Sequence, residues 1–222
     1  MTIDLYVDTS RKGISMAVAT SGQPEGCARV YEEIVNTEAR GEILGESLDT
    51  LLTRVGATLD DVKRVMVTLG PGSFSGLRTG VAFCQGLCFS GKRELYGVTT
   101  LQALACFAHD VAGNTPACSD AAVIIRARTG FWYMRLNGEE FFIETPEVIE
   151  RIKNAKVKAI VADAPAQEDE ALKAAFAEIG ASVSPDTGKP LDMWAPLFST
   201  VKPSLIQEAN YIQPSYFEKL KS

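Results

Sequence analysis

The 222-residue chain is 46% hydrophobic and 23% charged, the balance of a soluble globular protein large enough for one large domain or two small lobes. Its 22 Lys+Arg against 28 Asp+Glu give a net charge of −6, which argues against the overall basic footprint of a nucleic-acid binder. Asp4 and Asp8 interrupt the first apolar run, and no apolar run reaches about 18 residues, so neither a signal peptide nor a membrane span is expected.

Five cysteines, Cys27, Cys84, Cys88, Cys106 and Cys118, form no Cys-x-x-Cys. An odd count without that spacing disfavours a disulfide framework and fits a reducing cytoplasm. Cys84 and Cys88 share one helix face. They read as small core residues, with a metal or redox pair as the alternative.

In chain order, Ile3 to Val7, Ile14 to Ala19 and Cys27 to Glu32 read as three short strands separated by turn residues, an antiparallel meander. Leu44, Leu48, Leu51, Leu52 and Val55 fall at helical spacing within a helix expected over Thr37 to Val55, with Gly56 at its C-terminal cap. A strand over Val62 to Leu69 leads into the sharp loop 70–76 and a helix from Ser75 to Phe89. A strand over Leu95 to Val98 and a helix over Thr99 to Phe107 follow. Residues 112–120 are turn-rich and read as a linker. Beyond it, strands are expected at Ala122 to Arg126, Phe131 to Leu136, Glu140 to Ile143 and Val157 to Val161. Helices are expected at Pro146 to Asn154 and Glu168 to Ile179, then a proline-rich tail with one or two short helices. The plan is thus an α/β chain of two related lobes, 1–107 and a shorter 108–222, each a mixed sheet begun by an antiparallel meander and flanked by helices.

Two segments carry the chemistry. The run Gly70-Pro-Gly-Ser-Phe-Ser-Gly-Leu-Arg-Thr-Gly80 is a strand end, a turn and a helix start. Its glycines permit close backbone approach. Either the helix N-terminus receives a phosphate, or the run is a tight turn capped by Ser73 or Ser75. It lacks the Gly-Lys-Ser/Thr of a Walker loop. Asp8-Thr9-Ser10 closes the first strand, and it fits either a capped turn or a phosphate-binding hairpin with the Asp near a metal. The nucleotide or phosphate candidates are therefore Asp8, Thr9, Ser10, Gly70, Gly72, Ser73, Ser75 and Gly76.

Taken together, Ile3 to Ser10, Gly70 to Gly80 and Gly97-Val-Thr-Thr-Leu101 resemble the TsaB family, a branch of the actin-like ATPase superfamily related to TsaD. Ile125 to Tyr133 resembles the family's Asp-Ala-Arg-x-Gly-Glu-Val-Tyr strand pair, and Tyr211 to Pro214 its Tyr-Leu-Arg close. The likeness is sharp over 1–107 and patchy beyond. It implies an actin-like, hexokinase-like fold and a non-catalytic subunit that supports threonylcarbamoylation of tRNA adenosine 37. It also implies a heterodimer with TsaD through first-lobe helices, the ATPase TsaE as a further partner, and ATP or ADP, if any, at the TsaD interface. A homodimer through the same helices would compete with that pairing. The expected partner face comprises Arg40, Ile43, Leu44, Ser47, Gly76, Arg78, Thr79, Gly80, Phe83 and Gly86.

TsaD-like proteins hold a metal with a His-x-x-x-His pair, whereas this chain has one histidine, His109, which cannot supply two ligands. No metal site and no catalytic residue is expected. Arg126 stands for the family's Asp, Phe131 for its Glu and Gln213 for its closing Arg, and Ala39-Arg40 stands where many relatives carry His at the start of the first helix. An alternative class, a small-molecule kinase or ATPase, would need a catalytic Asp that Gly70 to Gly76 does not offer.

Overall fold

The computed structural model describes residues 1–21, 31–38, 43–108 and 121–212. Strands β1 (Ile3–Asp8), β2 (Ile14–Thr20), β3 (Tyr31–Asn36), β4 (Val62–Thr68) and β5 (Glu94–Val98) form one five-stranded sheet in the order β3-β2-β1-β4-β5. β1–β2 and β2–β3 pair antiparallel, and β1–β4 and β4–β5 parallel. A second sheet has the order β10-β9-β6-β7-β8, from β6 (Ala122–Arg128), β7 (Phe131–Leu136), β8 (Glu139–Glu144), β9 (Ala159–Ala162) and β10 (Ser182–Pro185). Its antiparallel β6–β7–β8 and parallel β6–β9–β10 pairings repeat those of the first sheet. This repeated topology gives the two related α/β lobes, each a mixed sheet begun by an antiparallel meander, that the sequence reading expects.

The chain divides into two compact units, Met1–Thr100 with Pro190–Asn210, and Leu101–Lys189 with Tyr211–Ser222. The segment Pro190–Asn210, which the sequence reading gives to the second lobe, thus belongs to the first.

In unit 1 the alternation of β1 serves two cores. Ile3, Leu5 and Val7 face α1 (Leu44–Arg54) and α2 (Phe74–Cys88), among Leu48, Leu51, Val81, Cys84 and Cys88. Tyr6 lies on the other face, where a 3-10 helix, Leu191–Ser199, brings Trp194 and Phe198 to 6.4 and 5.8 Å of its ring. Phe198 meets Tyr96 edge-on at 4.8 Å and carries the Arg64 guanidinium at 4.0 Å. Buried Asp4 accepts two hydrogen bonds from Arg64, at 2.7 and 2.6 Å, a bidentate pair that lets a charge lie within a largely apolar face. Burial of each large side chain here contributes about 1.5–3 kcal/mol.

Unit 2 packs Ile124, Trp132, Met134 and Ile160 against α4 (Thr145–Ala155), α5 (Ala164–Glu168) and α6 (Glu170–Ile179), through Val148, Ile152, Ala166, Leu172 and Phe176. The indole of Trp132 donates to Thr145 Oγ1 at 2.8 Å.

Several elements differ from the sequence reading. β3 runs on to Asn36, beyond the expected Glu32, because its register on β2 pairs Ile14 with Asn36 and Ala19 with Tyr31; residues 27–30 of the expected strand lie outside the described residues. The helix expected over Glu168 to Ile179 is α6, which begins at Glu170 because the Asp169 side chain accepts from Ala171 N and Leu172 N and caps its start; the short α5 before it was not expected. β10 falls inside the expected irregular tail. The short α3 (Thr100–Ala105) starts one residue after Thr99. Cys106 is disulfide-bonded, contrary to the expectation of a reduced set, and Cys84 and Cys88 are free and buried.

Candidate functional site

The described candidate residues cluster where β1, β4 and α2 meet in unit 1. Asp8 Oδ1 accepts from Ser10 N at 2.8 Å, Ser10 Oγ at 2.6 Å and Thr68 Oγ1 at 2.8 Å. One carboxylate oxygen thereby folds the Asp8-Thr9-Ser10 turn and ties β1 to the end of β4. Thr68, invisible to the motif reading, is the residue that makes this tie.

The loop 70–76 lies directly on that turn. Ser73 N donates to the Ser10 carbonyl at 2.7 Å. Ser73 is the N-cap of α2, its hydroxyl accepting from Gly76 N at 3.3 Å, whereas Ser75 is an exposed first-turn residue. The glycines of α2 are explained by what covers them. A Cβ at Gly72 would collide with the Ser10 carbonyl oxygen, at Gly76 with the Thr9 carbonyl oxygen, and at Gly80 with the Thr9 hydroxyl. Gly70, with φ +110°, gives its carbonyl to Thr100 N at 2.8 Å, and a Cβ there would lie 2.6 Å from the Asn210 carbonyl oxygen. So the two loops singled out as a phosphate cradle are brought together, with Thr9 and Ser10 lying against Gly72, Gly76 and Gly80, while Gly72, Ser73 and Ser75 at the helix start remain exposed. The capped-turn reading accounts for every one of these contacts.

The expected partner face is rearranged. Leu44 and Ser47 are buried, Leu44 in the unit 1 core. Gly80 is buried under Thr9, and Phe83 and Ile43 pack partly buried against the same core. These residues turn inward because Leu44, Ser47, Leu48 and Leu51 share the stripe that faces the sheet. Arg78, Thr79 and Gly86 are exposed, as expected for a free face. Arg40, like His109 and Gln213, lies outside the described residues.

α2 therefore has three sectors. Leu77, Val81, Cys84 and Cys88 enter the core, Gly76 and Gly80 receive the Asp8-Thr9-Ser10 turn, and Phe74, Arg78, Thr79, Ala82, Gly86 and Phe89 remain exposed. Phe74 is 54% and Phe89 80% exposed, and the Arg78 guanidinium lies 3.9 Å above the Phe74 ring. The spacing Phe74, Arg78, Ala82, Gly86 and Phe89 is a helical stripe already present in the sequence, beside the glycine sector. Burial pushes the Cys88 thiol up to about 11, against the opposing pull of Arg93, and Cys84 also rises through burial. Both are held as neutral thiols within the core.

In unit 2 the positions that depart from the family pattern form a different contact. Arg128 stacks over Phe131 at 4.1 Å, and Phe131 stacks on Phe142 at 5.1 Å. A bulge between Arg126 and Arg128 sets this register. The carboxylate at this lobe's strand ends is Asp163, whose Oδ2 accepts from Arg126 N at 2.8 Å and whose Oδ1 caps α5 through Ala166 N at 3.0 Å.

The family model "TsaD: tRNA N6-adenosine threonylcarbamoyltransferase" matches residues 35–200. The chain belongs to that family. Its similar proteins include the "tRNA threonylcarbamoyladenosine biosynthesis protein TsaB" of Escherichia coli, 32% identical over 101 residues, 46% of this chain and 42% of that protein. The protein of the same name from Haemophilus influenzae is 31% identical over 53% of this chain and 48% of its own length. The chain spans less than half the length of these two curated relatives. A Pseudomonas aeruginosa crystal structure, "an uncharacterized protein with similarity to peptidase YEAZ", is 19% identical and covers 96% of this chain and 100% of its own, with a TM-score of 0.65; it shares the fold. Among the described residues no helix is long and apolar enough to cross a membrane.

Proposed function

We propose that this protein is a non-catalytic subunit of the tRNA threonylcarbamoyladenosine system, pairing through the exposed sector of α2 with a threonylcarbamoyltransferase of its own family. The observation that carries the reading is that sector: an apolar, cation-bearing stripe on a helix whose other two sectors are occupied by its own core and its own turn. Exposed aromatic and Arg residues are among the side chains that interfaces favour. The non-catalytic part rests on the single histidine and on the phosphate-type loops, where Asp8, Thr9 and Ser10 are engaged with their own chain. ATP or ADP, if it takes part, binds with the partner rather than in this closed turn. TsaE joins as a further component.

Size-exclusion chromatography with light scattering, mixing the protein with the transferase of the same source, tests this. A 1:1 complex that Ala82→Arg abolishes is the expected result. No complex, with or without nucleotide, together with ATP turnover by the isolated chain, would overturn it in favour of a kinase or ATPase.

A further inference from the structure

The return segment that follows the 3-10 helix is tied down along its backbone. Ser204 N donates to the Leu95 carbonyl of edge strand β5 at 2.8 Å, and Asn210 N to the Leu69 carbonyl at 2.6 Å. Gln85 on α2 donates from Nε2 to the carbonyls of both Leu205 and Gln207, each at 3.2 Å. Gln207 Nε2 returns to the Ser204 carbonyl at 2.9 Å, and Ser204 Oγ donates to the Ile206 carbonyl at 3.0 Å. The Gln207 side chain fills the space above Gly97, where a Cβ would collide with its amide.

Yet the side chains this scaffold holds out are apolar. Ile206 is 77% and Leu205 41% exposed, and Phe89, one turn beyond Gln85 on the same helix, is 80% exposed. A scattered exposed apolar residue needs no explanation. Leu205 and Ile206 sit on the segment whose backbone Gln85 holds, and Phe89 follows Gln85 one helical turn on; apolar side chains on a backbone already ordered form a contact whose ordering cost is met before binding.

We propose that Phe89, Leu205 and Ile206 extend the pairing face of α2, that the occupant is the same transferase-type partner, and that Gln85 is the positioning residue that holds the segment in place. Continuity selects that occupant: Phe89 ends the Phe74–Arg78–Ala82 stripe and also stands beside the clamp, so a partner seated along the stripe reaches Ile206 without a second site. The inference rests on the pairing proposed above.

Titration calorimetry with the transferase of the same source, comparing wild type, Ile206→Asp, Gln85→Ala and the double variant, tests it. Ile206→Asp should weaken binding by about tenfold or more, with an unchanged melting temperature because the side chain is mostly in solvent. Gln85→Ala should weaken binding several-fold, and the double variant little beyond Ile206→Asp alone, since the clamp acts only through the segment. A merely structural Gln85 would give additive losses instead. Equal affinity of wild type and Ile206→Asp, while Ala82→Arg abolishes the complex, overturns the extension and leaves the pairing standing. No binding by wild type overturns both. Self-association that Ile206→Asp removes, with transferase affinity unchanged, assigns the patch to a second copy of the chain and also overturns the proposal.

Discussion

The two units tie the same pair of strand ends with one carboxylate, taken from opposite strands. In unit 1 the acid is Asp8 at the end of the first strand, reaching Thr68 on the fourth. In unit 2 it is Asp163, just after the fourth strand, reaching the Arg126 backbone on the first. What the topology requires is an acceptor bridging two parallel strand ends, where backbone and hydroxyl donors converge as the chain leaves the sheet. An Asp at a fixed motif position is one way to supply it. Unit 2 lacks the motif Asp and still makes the tie, so the absence of Asp at 126 marks no loss of fold.

The comparison is broken most severely through a part that, among the described residues, unit 1 alone has: the 3-10 helix on its second sheet face. Trp194→Ala removes a fully buried indole packed on Tyr6 and should cost about 3–5 kcal/mol. Hydrogen exchange should show β1, β4 and β5 losing protection while β6, β7 and β9 keep theirs; a uniform loss would mean the units unfold as one. Next come the ties themselves. Asp163→Ala strips a buried acceptor and a helix cap together and should cost about 2 kcal/mol in urea unfolding. Asp8→Ala, at a half-buried turn, should cost about 1 kcal/mol. The reverse order would undo the equivalence of the two acids. Glycines sharpen the contrast within α2. Gly80→Ala forces a methyl onto Thr9 and should destabilise by about 1–3 kcal/mol. Gly86→Ala meets open space and should stabilise by about 0.5–1 kcal/mol. The smallest effect concerns β3. Burial raises the Glu33 carboxyl, against the hydrogen bond from Tyr31 that lowers it. A raised acid favours the folded state while protonated, so stability falls as pH rises through its folded pKa. Glu33→Gln should therefore melt slightly higher than wild type at pH 8, with the gap closing toward pH 4.

The meander, the α2 start and the repeated lobe plan were legible in the sequence because each rests on local signals: period-two strands, turn residues and a Ser cap. The phosphate-type motif was legible too, but its meaning was not. Gly72, Gly76 and Gly80 look the same whether they admit a ligand or the chain's own Thr9 and Ser10; only tertiary contact separates the two. Leu44 and Ser47 were misplaced for a related reason, since helical spacing identifies a face without saying what covers it. The Tyr6 face was hidden because its cover, Trp194 and Phe198, lies nearly 190 residues away in a proline-rich stretch that composition alone reads as surface. β3 runs past Glu32 because pairing with β2, not local propensity, fixes its C-terminal end.

The return of Pro190–Asn210 to unit 1 has a consequence for how the protein is made. During synthesis the strands and helices of unit 2 emerge before the indole and phenyl rings that seal the Tyr6 face of the first sheet. The first unit to leave the ribosome thus waits for a segment made after most of the second. Until Trp194 and Phe198 have emerged, a nascent chain presents Tyr6 and Tyr96 uncovered, a surface for chaperones to shield.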